Sequence, residues 1–227
     1  MTAPDVSQFG IPVASELTSV QIGGQCISYF KVTNIDALYA ALSQLDSKND
    51  NVIDERIPYW AELWPSAIAL AEYVCDMGST DGTIVHEIGC GMALPSILCG
   101  KLGYKVVMSD YVLAPLQFAE ANWKLNSTTQ PITMILDWRN IPDSIEKCDL
   151  LLAADVAYES RMFSVIIHAF KELTKKGGKI IITEPNRKFA SDFYKLLEQN
   201  FSEIKTYDKL IFLNNHQHKI RLSVITV

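Results

Sequence analysis

From about residue 57 to its end, the chain alternates short apolar runs with segments of helical periodicity. Five runs are rich in aliphatic and β-branched residues and have the length of buried strands, whereas the intervening segments repeat apolar residues at helical spacing. The predicted strands cover 83–88, 106–110, 132–136, 149–154 and 179–183, and the predicted helices cover 65–74, 95–102, 113–126, 163–175 and 189–200. This alternation predicts an α/β fold with five parallel strands.

Two further β-rich runs close the chain. Residues 203–213 and 219–227 are separated by the polar stretch 214–218, which is too short for a crossover helix, so the runs are predicted to pair as an antiparallel hairpin. With the five parallel strands they complete a Rossmann-like sheet of seven strands. Lys175, Lys176 and the two glycines after them are predicted to end the helix before the fifth strand.

The first 56 residues are predicted to form an extension packed on this main domain. Residues 18–22 and 25–32 have strand composition and flank Gly23-Gly24, which is typical of a two-residue hairpin turn. This segment has too little apolar surface to fold as an independent domain. The predicted organisation is therefore an N-terminal hairpin and helix over 1–56 and one domain over 57–227.

A helix and a polar stretch follow the predicted hairpin. Residues 35–45 repeat leucines at helical spacing, and either Asn34 or Asp36 is a candidate for the N-cap. Residues 46–55 are polar and charged, so they are predicted to be a loop or a mobile lid.

The stretch around Gly89 and Gly91 carries the most informative motif. A buried strand runs into this glycine turn, and the turn runs into a helix with Pro95 in its first turn. The glycines permit a tight turn and close approach of a ligand to the backbone. Because Leu94 stands where a dinucleotide fingerprint has its third glycine, the pattern reads as E-x-G-x-G. Its acid, Glu87, suits a ligand with positive charge, such as the ammonium and sulfonium of S-adenosylmethionine.

Three further acids are predicted at the carboxyl ends of the following strands. Asp110 ends the second strand, where an acid can bind the two hydroxyls of a ribose. Asp137 and Trp138 follow the third, where a carboxylate can accept from a purine amino group while the indole covers the ring. Asp155 follows the fourth strand, and Tyr158 comes shortly after it. With the acid of the glycine turn, these residues predict a cleft of negative potential.

Each of these residues also has a purely structural interpretation. The glycine turn and Asp110 are compatible with an ordinary βαβ unit that has a solvated acid at its end. Asp137 and Trp138 are compatible with a turn acid and a packed indole. Asp155 is a candidate N-cap for the next helix, and Tyr158 is a candidate for simple packing.

An aromatic segment precedes the first strand of the main domain. Residues 57–66 contain Tyr59, Trp60 and Trp64 together with two prolines. A tryptophan is most often buried in the core, but Trp64, just before a predicted helix, can also wall a ligand pocket by stacking or apolar contact. Composition alone leaves both interpretations open.

Composition narrows the class of function. The net charge of −6 argues against non-specific nucleic-acid binding, which depends mainly on lysine and arginine contacts with phosphates. Five cysteines and four histidines are scattered without metal-ligand spacing, which predicts no metal and mostly buried thiols in a reducing compartment. No signal peptide opens the chain and no apolar run approaches the ~20 residues that span a bilayer. We therefore expect a cytoplasmic protein with no nucleic-acid or membrane partner.

In combination, these motifs resemble those of the seven-β-strand S-adenosylmethionine-dependent methyltransferases, over about residues 57–227. The chain more narrowly resembles the family 16 protein-lysine methyltransferases. That family has a Trp-Pro or similar aromatic segment before the first strand and a D-x-x-Y motif after the fourth. Here these motifs are Trp64-Pro65 and Asp155 to Tyr158. The resemblance implies S-adenosyl-L-methionine as the cofactor.

The resemblance also implies which residues bind that cofactor. They are Trp64, Glu87, Gly89, Gly91, Asp110, Asp137 and Trp138. The glycine turn and its acid would line the methionine part, and Asp110 would bind the ribose hydroxyls. Asp137 and Trp138 would hold the adenine, with Trp64 against the cofactor.

Asp155 and Tyr158 are the implied catalytic residues, near the transferred methyl group and the attacking nitrogen. The function implied is methylation of a lysine side chain in a protein partner. A small amine or heteroaromatic nitrogen is the alternative substrate, because nicotinamide N-methyltransferase-like enzymes share much of this pattern. A cofactor-binding interaction module is the non-enzymatic alternative, and Leu94 disfavours a dinucleotide dehydrogenase.

Overall fold

The computed structural model describes residues 2–78, 82–187 and 190–227. Its strands are β1 (Ser7–Gln8), β2 (Ile11–Pro12), β3 (Ser15–Ile22), β4 (Gln25–Val32), β5 (Ile84–Ile88), β6 (Lys105–Asp110), β7 (Ile132–Ile135), β8 (Cys148–Ala154), β9 (Thr174–Glu184), β10 (Glu203–Leu213) and β11 (His216–Thr226). Its α-helices are α1 (Ile35–Ser43), α2 (Asp50–Ile53), α3 (Pro65–Met77), α4 (Leu94–Lys101), α5 (Leu113–Asn126), α6 (Phe163–Leu173) and α7 (Ala190–Asn200). Short 3-10 helices cover Tyr59–Ala61 and Ser160–Met162.

Within the described ranges, seven strands form one central sheet in the order β10-β11-β9-β8-β5-β6-β7. Strands β5 to β9 pair in parallel, whereas β11 runs antiparallel to both β9 and β10. The predicted α/β fold, with five parallel strands and a C-terminal hairpin, is confirmed. Because β5 lies between β6 and β8, the strand order reverses at this point, which is where open α/β sheets bind ligands.

Apolar side chains cover both faces of the central sheet. Along β8, Leu150 and Leu152 pack into the core beneath α3, α4 and α5, whereas Leu151 and Ala153 pack into the core beneath α6 and α7. Successive side chains of a strand point to opposite faces, so a strand covered by helices on both faces must be apolar throughout. This explains why β8 appears in the sequence as an uninterrupted apolar run.

The N-terminal hairpin and helix share the core of the central sheet. Phe30 of β4 and Leu38 of α1 are buried in the same cluster as α3 to α5. Asn122 of α5 accepts the Phe30 N–H at 2.8 Å, and Asn126 bonds both backbone groups of Ser28. These amides attach β4 directly to α5. The division of the chain at residue 56 stays a prediction.

The predicted end of the helix before β9 is wrong. Helix α6 ends at Leu173, and Lys175 and the glycines after it lie inside β9. The Gly177 N–H donates to the Val227 carbonyl at 2.6 Å, and the Val227 N–H donates to the Gly178 carbonyl at 3.0 Å. Strand β9 begins before the predicted residue because Val227, at the C-terminal end of the sequence, supplies hydrogen bonds to its first half. The local pattern of residues does not indicate these bonds.

The turn of the C-terminal hairpin is also shorter than predicted. Only Asn214 and Asn215 form it, with φ angles of 51° and 63°, and β11 begins at His216. Asparagine tolerates the left-handed conformation that a two-residue hairpin turn needs. The Gly23-Gly24 turn between β3 and β4 is as predicted, with φ angles of 54° and 76°.

Two details of other elements differ from their predictions, and a third lies outside the described residues. Asn34 precedes α1, but its side chain makes no cap; it accepts the Ala14 N–H at 2.8 Å and donates to the Pro12 carbonyl at 2.9 Å. The polar stretch 46–55, predicted as a loop or lid, contains the helix α2. The predicted first residue of the last helix, Phe189, lies outside the described residues.

Several expectations from composition can be compared with the structure. All five cysteines are free thiols. In the part of the chain that the structure describes, no helix is both long and apolar enough to cross a bilayer. In the same ranges, no group of three or more histidine, cysteine, aspartate or glutamate side chains is arranged to hold a metal ion.

We predict that Gly100→Ala destabilises the protein. A Cβ at Gly100 of α4 would lie 2.1 Å from the Cη2 atom of Trp123, which is 2% exposed and donates its Nε1–H to the Thr129 carbonyl. Alanine normally favours a helix over glycine by about 1 kcal/mol, but overpacking costs typically about 1–3 kcal/mol. We expect urea titration to give a free energy of unfolding lower by about 1–2 kcal/mol. The exposed control Lys101→Ala should change little, and a more stable Gly100→Ala protein would contradict the close packing of α4 on α5.

Candidate functional site

The predicted site residues meet at the carboxyl edge of the central sheet. The Gly91 N–H donates to Asp110 Oδ2 at 3.2 Å, which joins the loop after β5 to the end of β6. A Cβ at Gly89 would lie 3.1 Å from Val156 Cγ1 and 3.4 Å from the indole of Trp138. The loops after β5, β6, β7 and β8 therefore form one site.

Backbone conformation explains the glycines of the turn. Gly89 and Gly91 have φ angles of 59° and 48°, in the left-handed region that glycine adopts without strain. Ala93, at 60°, also lies there and immediately precedes α4. The Cys90 N–H donates to the Ser109 carbonyl at 3.0 Å, which ties the turn to β6. The result is a backbone cradle in front of the N-terminus of α4.

Glu87 is buried beneath this cradle. It is 1% exposed, and its Oε2 accepts the N–H of Ser96 in α4 at 3.0 Å. Burial raises the pKa of Glu87 to about 8, and the neighbouring Asp110 adds to the shift. At neutral pH the carboxyl group is therefore mostly protonated, and a positive charge nearby would favour its ionised form.

Asp110 lies at the end of β6 with its carboxylate turned toward the glycine turn. It accepts the N–H groups of Gly91 and Val112, both at 3.2 Å. Burial raises its pKa to about 6, against the effect of these hydrogen bonds. Each carboxylate oxygen that accepts one N–H has a further lone pair, which can accept a hydroxyl donor.

Asp137 and Trp138 follow β7, and Asp137 is paired with Arg139. The Arg139 Nε donates to both carboxylate oxygens of Asp137, at 2.9 and 3.1 Å. Partial burial acts to raise the pKa of Asp137, but the hydrogen bonds from Arg139 lower it overall. The indole Nε1–H of Trp138 is buried and has no hydrogen-bond partner among the described residues. A buried unpaired donor is costly, so it indicates a site for a ligand acceptor.

Trp64 and two tyrosines form an aromatic wall at the same edge. Trp64 is half-buried, and its Nε1–H donates to the Tyr59 carbonyl at 2.8 Å. The Tyr59 ring makes edge contacts with Trp64 and with Tyr158, at centroid distances of 6.1 and 5.4 Å. Partial desolvation of the phenol group by its surroundings and the nearby acids Glu159 and Asp110 raise the pKa of Tyr158 to about 12, so its hydroxyl remains a donor at neutral pH.

Asp155 is nearly buried at the end of β8. Its side chain is 5% exposed and forms an ion pair with Arg187, and Oδ2 accepts from the Ser66 hydroxyl at 3.4 Å. Its φ of 58° turns the chain sharply after the strand. The next α-helix begins only at Phe163, so the alternative that Asp155 caps that helix is wrong.

Ion pairs offset part of the charge of the acids that predict a cleft of negative potential. Two of the four acids, Asp137 and Asp155, carry their own arginine partners, Arg139 and Arg187. Glu87 and Asp110 instead have raised pKa values. Arg139 lies two residues after Asp137 and was visible in the sequence as a local pair, whereas no local signal connects Arg187 with Asp155.

A network over the rim was missed by sequence reasoning. Asp54, which follows α2, accepts from the Tyr111 hydroxyl at 2.6 Å and from Arg139 at 3.1 Å. The guanidinium groups of Arg56 and Arg139 lie 4.7 and 5.1 Å from the centroid of the Tyr111 ring. The hydrogen bonds from Tyr111 and Arg139 lower the pKa of Asp54. We call residues 50–56 the rim strap, because they are tied to the loops after β6 and β7.

A recess of about 430 Å³ opens beside Tyr158. It is lined by Glu55, Tyr158, Glu159, Ser160 and Arg161. Arg161 joins the two sides of the recess by ion pairs to Glu55 and Glu159. A larger recess of about 590 Å³ lies at the C-terminal ends of α4 and α5, away from the carboxyl edge.

The residues present fit a nucleoside cofactor that carries positive charge. The unpaired indole donor of Trp138 can meet an acceptor of a purine, and Asp110 can accept from ribose hydroxyls. The buried carboxyl of Glu87 lies close to the glycine cradle, where a cation would favour its ionised form. The donors and acceptors at this edge therefore match the purine, the ribose and the cationic part of such a cofactor.

Solved structures confirm the class of fold. Magnesium protoporphyrin IX methyltransferase from Synechocystis PCC 6803, solved with bound SAM, is 18% identical, with a TM-score of 0.58 over 86% of this chain and 92% of that chain. The Thermus thermophilus 16S rRNA methyltransferase RsmC is 13% identical, with a TM-score of 0.64 over 95% of this chain and 51% of that chain. The fold is that of the Rossmann-like methyltransferases.

Sequence comparison defines the family. The family model described as lysine methyltransferase matches residues 55–200, so the chain belongs to this family. Protein-lysine methyltransferase METTL21E of Mus musculus is 30% identical over 67% of this chain and 68% of its own length. Histone-arginine methyltransferase METTL23 of Mus musculus is 31% identical over 58% of this chain. The chain spans 57% of the length of that METTL23 and 63% of the rat protein.

We predict that Glu87→Gln stabilises the ligand-free protein in a pH-dependent way. Folding raises the pKa of Glu87 from 4.5 to about 8, so the folded state favours the protonated carboxyl group. The stability that this protonated group contributes is complete below about pH 4.5 and is lost as the pH rises through about 8. Glutamine keeps an acceptor for the Ser96 N–H but cannot ionise. We expect the variant to exceed the wild type in free energy of unfolding by roughly 2–4 kcal/mol at pH 8.5, with the difference vanishing near pH 4.5.

Urea titrations at several pH values measure this difference. Glu198→Gln, at an exposed position of α7, is the matched control and should show no such trend. A difference for Glu87→Gln that does not change with pH would contradict the buried, uncompensated carboxyl.

Proposed function

We propose that this protein is an S-adenosyl-L-methionine-dependent N-methyltransferase that methylates a lysine side chain of a protein. The observation that carries this proposal is the meeting of the E-x-G-x-G turn, Asp110 and the Asp155 to Tyr158 motif at one edge of the sheet. Membership of the lysine methyltransferase family and the METTL21E and METTL21A relatives support it.

The proposed cofactor site follows the donors and acceptors at the edge. Gly89 and Gly91, with Glu87 beneath them, would accommodate the cationic methionine part, and Asp110 would accept from the ribose hydroxyls. Asp137 and Trp138 would hold the adenine, and Trp64 would stand against the cofactor. The left-handed glycines and the unpaired Trp138 donor support these assignments.

The bound cofactor would supply an activated methyl group, so the residues of this chain have to orient and desolvate the attacking nitrogen. Asp155 and Tyr158 are proposed to do this. The Asp155 carboxylate can accept from the amine, and the Tyr158 hydroxyl stays protonated because its pKa is about 12. A lysine amine has an ordinary pKa near 10.4, so it must lose a proton to water before it attacks.

The recess beside Tyr158 supports a side chain of a protein as the substrate. Tyr158 is 41% exposed in this recess, whereas the side chain of Asp155, three residues earlier in the chain, is 5% exposed. A long side chain could therefore reach Asp155 from the surface while its backbone remains outside. A small amine stays the alternative substrate. Free thiols and a net charge of −6 support a cytoplasmic protein without a nucleic-acid substrate.

Arginine is a second candidate for the methylated residue. The METTL23 relatives, at 31% identity, are named as histone-arginine methyltransferases. A guanidinium can pair with a carboxylate through two parallel N–H···O hydrogen bonds, so the Asp155 carboxylate suits an arginine side chain as well. The identity of the methylated amino acid distinguishes the two proposals.

We expect Asp110→Asn to weaken binding of S-adenosyl-L-methionine. The amide keeps an acceptor for the Gly91 N–H but loses charge-assisted bonds to the ribose hydroxyls. Such bonds contribute about 1.5–3 kcal/mol, so calorimetry should show a Kd higher by roughly 10–100-fold. Asp143→Asn, at an exposed position between β7 and β8, is the control. Unchanged affinity for Asp110→Asn would exclude the ribose role.

We expect Asp155→Asn to abolish methyl transfer while leaving cofactor binding nearly intact. Asparagine tolerates the φ of 58° but cannot provide the carboxylate. Incubation of a cell lysate with methyl-radiolabelled cofactor should label protease-sensitive material with the wild type, and at least ~100-fold less with Asp155→Asn. Asp149→Asn removes a carboxylate at the opposite end of β8 and is the matched control.

Hydrolysis of the labelled protein then separates methyl-lysine from methyl-arginine. Label confined to small molecules would support the small-amine alternative. Cofactor binding without any transfer would favour the interaction module, and concurrent loss of binding and transfer in Asp155→Asn would contradict a substrate-side role.

A further inference from the structure

Asp155, the proposed partner of the substrate nitrogen, already has a cation beside it. Arg187 Nη1 forms an ion pair with Asp155 Oδ1, and the Ser66 hydroxyl donates to Oδ2 at 3.4 Å. The Asp155 side chain is 5% exposed, and that of Arg187 is 25% exposed. The carboxylate that faces the substrate side is therefore electrically compensated.

Arg187 is held in place by a buried acid of the neighbouring strand. Its backbone N–H donates to Glu184 Oε2 at 3.2 Å, and its carbonyl accepts the Ala190 N–H at 2.9 Å. Glu184, the last residue of β9, is 1% exposed, and its Oε1 has no hydrogen-bond partner within the described ranges. Glu184 binds the backbone of Arg187 and Asp155 binds its guanidinium, so Arg187 is held between the ends of β8 and β9.

This compensation matters for the chemistry of an amine. A nearby uncompensated carboxylate favours the ammonium form, which has no lone pair and cannot attack a methyl group. A carboxylate paired with a guanidinium can still accept an N–H bond from the amine, but it stabilises the proton much less. The pair therefore separates the orientation of the nucleophile from the retention of its proton.

We infer that Arg187 is a positioning residue that neutralises Asp155, so that the substrate amine is oriented there without being held as an ammonium ion. Glu184 serves this role by fixing the Arg187 backbone. The inference rests on the proposed function. The roles it assigns are those of Arg187 and Glu184, which belong neither to the Asp-x-x-Tyr motif nor to the glycine turn.

Other charged groups surround the pair. From β11, Arg221 faces Glu184 across the strand pair, and its guanidinium lies 4.5 Å from the Tyr194 ring centroid. From the segment after β8 come Tyr158 and Glu159, and from β6 comes Asp110. Helix α3 contributes the neutral Ser66 hydroxyl to the pair. Arg187 is the cation in direct contact with Asp155, so its removal changes the local charge by one unit.

The first experiment measures the pH dependence of methyl transfer to the protein labelled by the wild type. With Arg187→Gln, the rising limb of the kcat profile should move up by about one pH unit, with kcat at pH 7.5 falling ~10-fold and recovering toward pH 9.5. Arg187→Lys keeps the charge and should retain the wild-type profile. Lys175→Gln breaks the Asp149 pair at the opposite end of the same two strands and should also retain it.

A fall in kcat that is equal at every pH would overturn the inference and leave Arg187 a structural role. An unchanged profile in a folded Arg187→Gln protein would overturn it as well. Thermal unfolding of all variants shows which of them are folded. If Arg187→Gln does not fold, Arg187→Lys provides the test, because a shifted pH profile in this charge-conserving variant would contradict the inference.

A second measurement does not depend on activity. n-Butylamine, a mimic of the lysine side chain, and neutral 1-butanol are titrated by ligand-observed NMR with S-adenosylhomocysteine present. At pH 7.5, Arg187→Gln should bind the ammonium ~10-fold more tightly than the wild type and 1-butanol equally well. Equal ammonium affinity in both proteins would refute the inference. Absence of transfer by the wild type would refute the proposed function, while this measurement would still decide the role of Arg187.

Discussion

The parallel pairing of β5 with β6 on one side and β8 on the other is the constraint on which the rest of the structure depends. It brings the carboxyl ends of three strands together, with Ile88 opposite both Ser109 and Ala153. The chain then has to turn sharply at each end, which requires left-handed conformations at Gly89, Gly91 and Asp155. The same turns expose backbone N–H groups and carboxylates toward one space. The site is thus a consequence of strand order, supported by apolar cores on both faces.

The acids at this edge are managed in two ways. Asp137 and Asp155 are compensated by arginines of the same chain, whereas the buried Glu87 and the half-buried Asp110 have raised pKa values. Burial of a carboxyl without a cation costs stability, which the protein tolerates where a cationic cofactor is proposed to bind. Where a nucleophilic amine is proposed to bind, the charge is compensated instead. Asp137, which is proposed to hold the neutral adenine, is compensated as well. Of these four acids, the two without an arginine partner are therefore the ones proposed to meet the cationic methionine part and the ribose of the cofactor.

The fold was largely predictable, because buried parallel strands and their helices have strong local patterns. Helix α5 was predicted over its full extent. The start of β9 was not predicted, because the early part of this strand depends on hydrogen bonds with Val227 at the other end of the sequence. The conformation of the glycine turn was predictable from the sequence as well, because glycine is the residue that adopts left-handed φ angles without strain. The rim strap escaped prediction, because Asp54 and Tyr111 lie 57 residues apart and meet only after folding.

The sequence by itself determined the α/β class, the order of strands and helices, and the acids and glycines at the strand ends, since these follow from apolar periodicity and local turn chemistry. The tertiary structure alone decided which charges distant in the chain compensate one another. Asp155 and Arg187 are 32 residues apart and come together only because β8 and β9 are neighbours. A local pattern records the conformation of a segment, whereas an electrostatic partner depends on the packing of the whole sheet. The charge of the site is therefore a property of the fold.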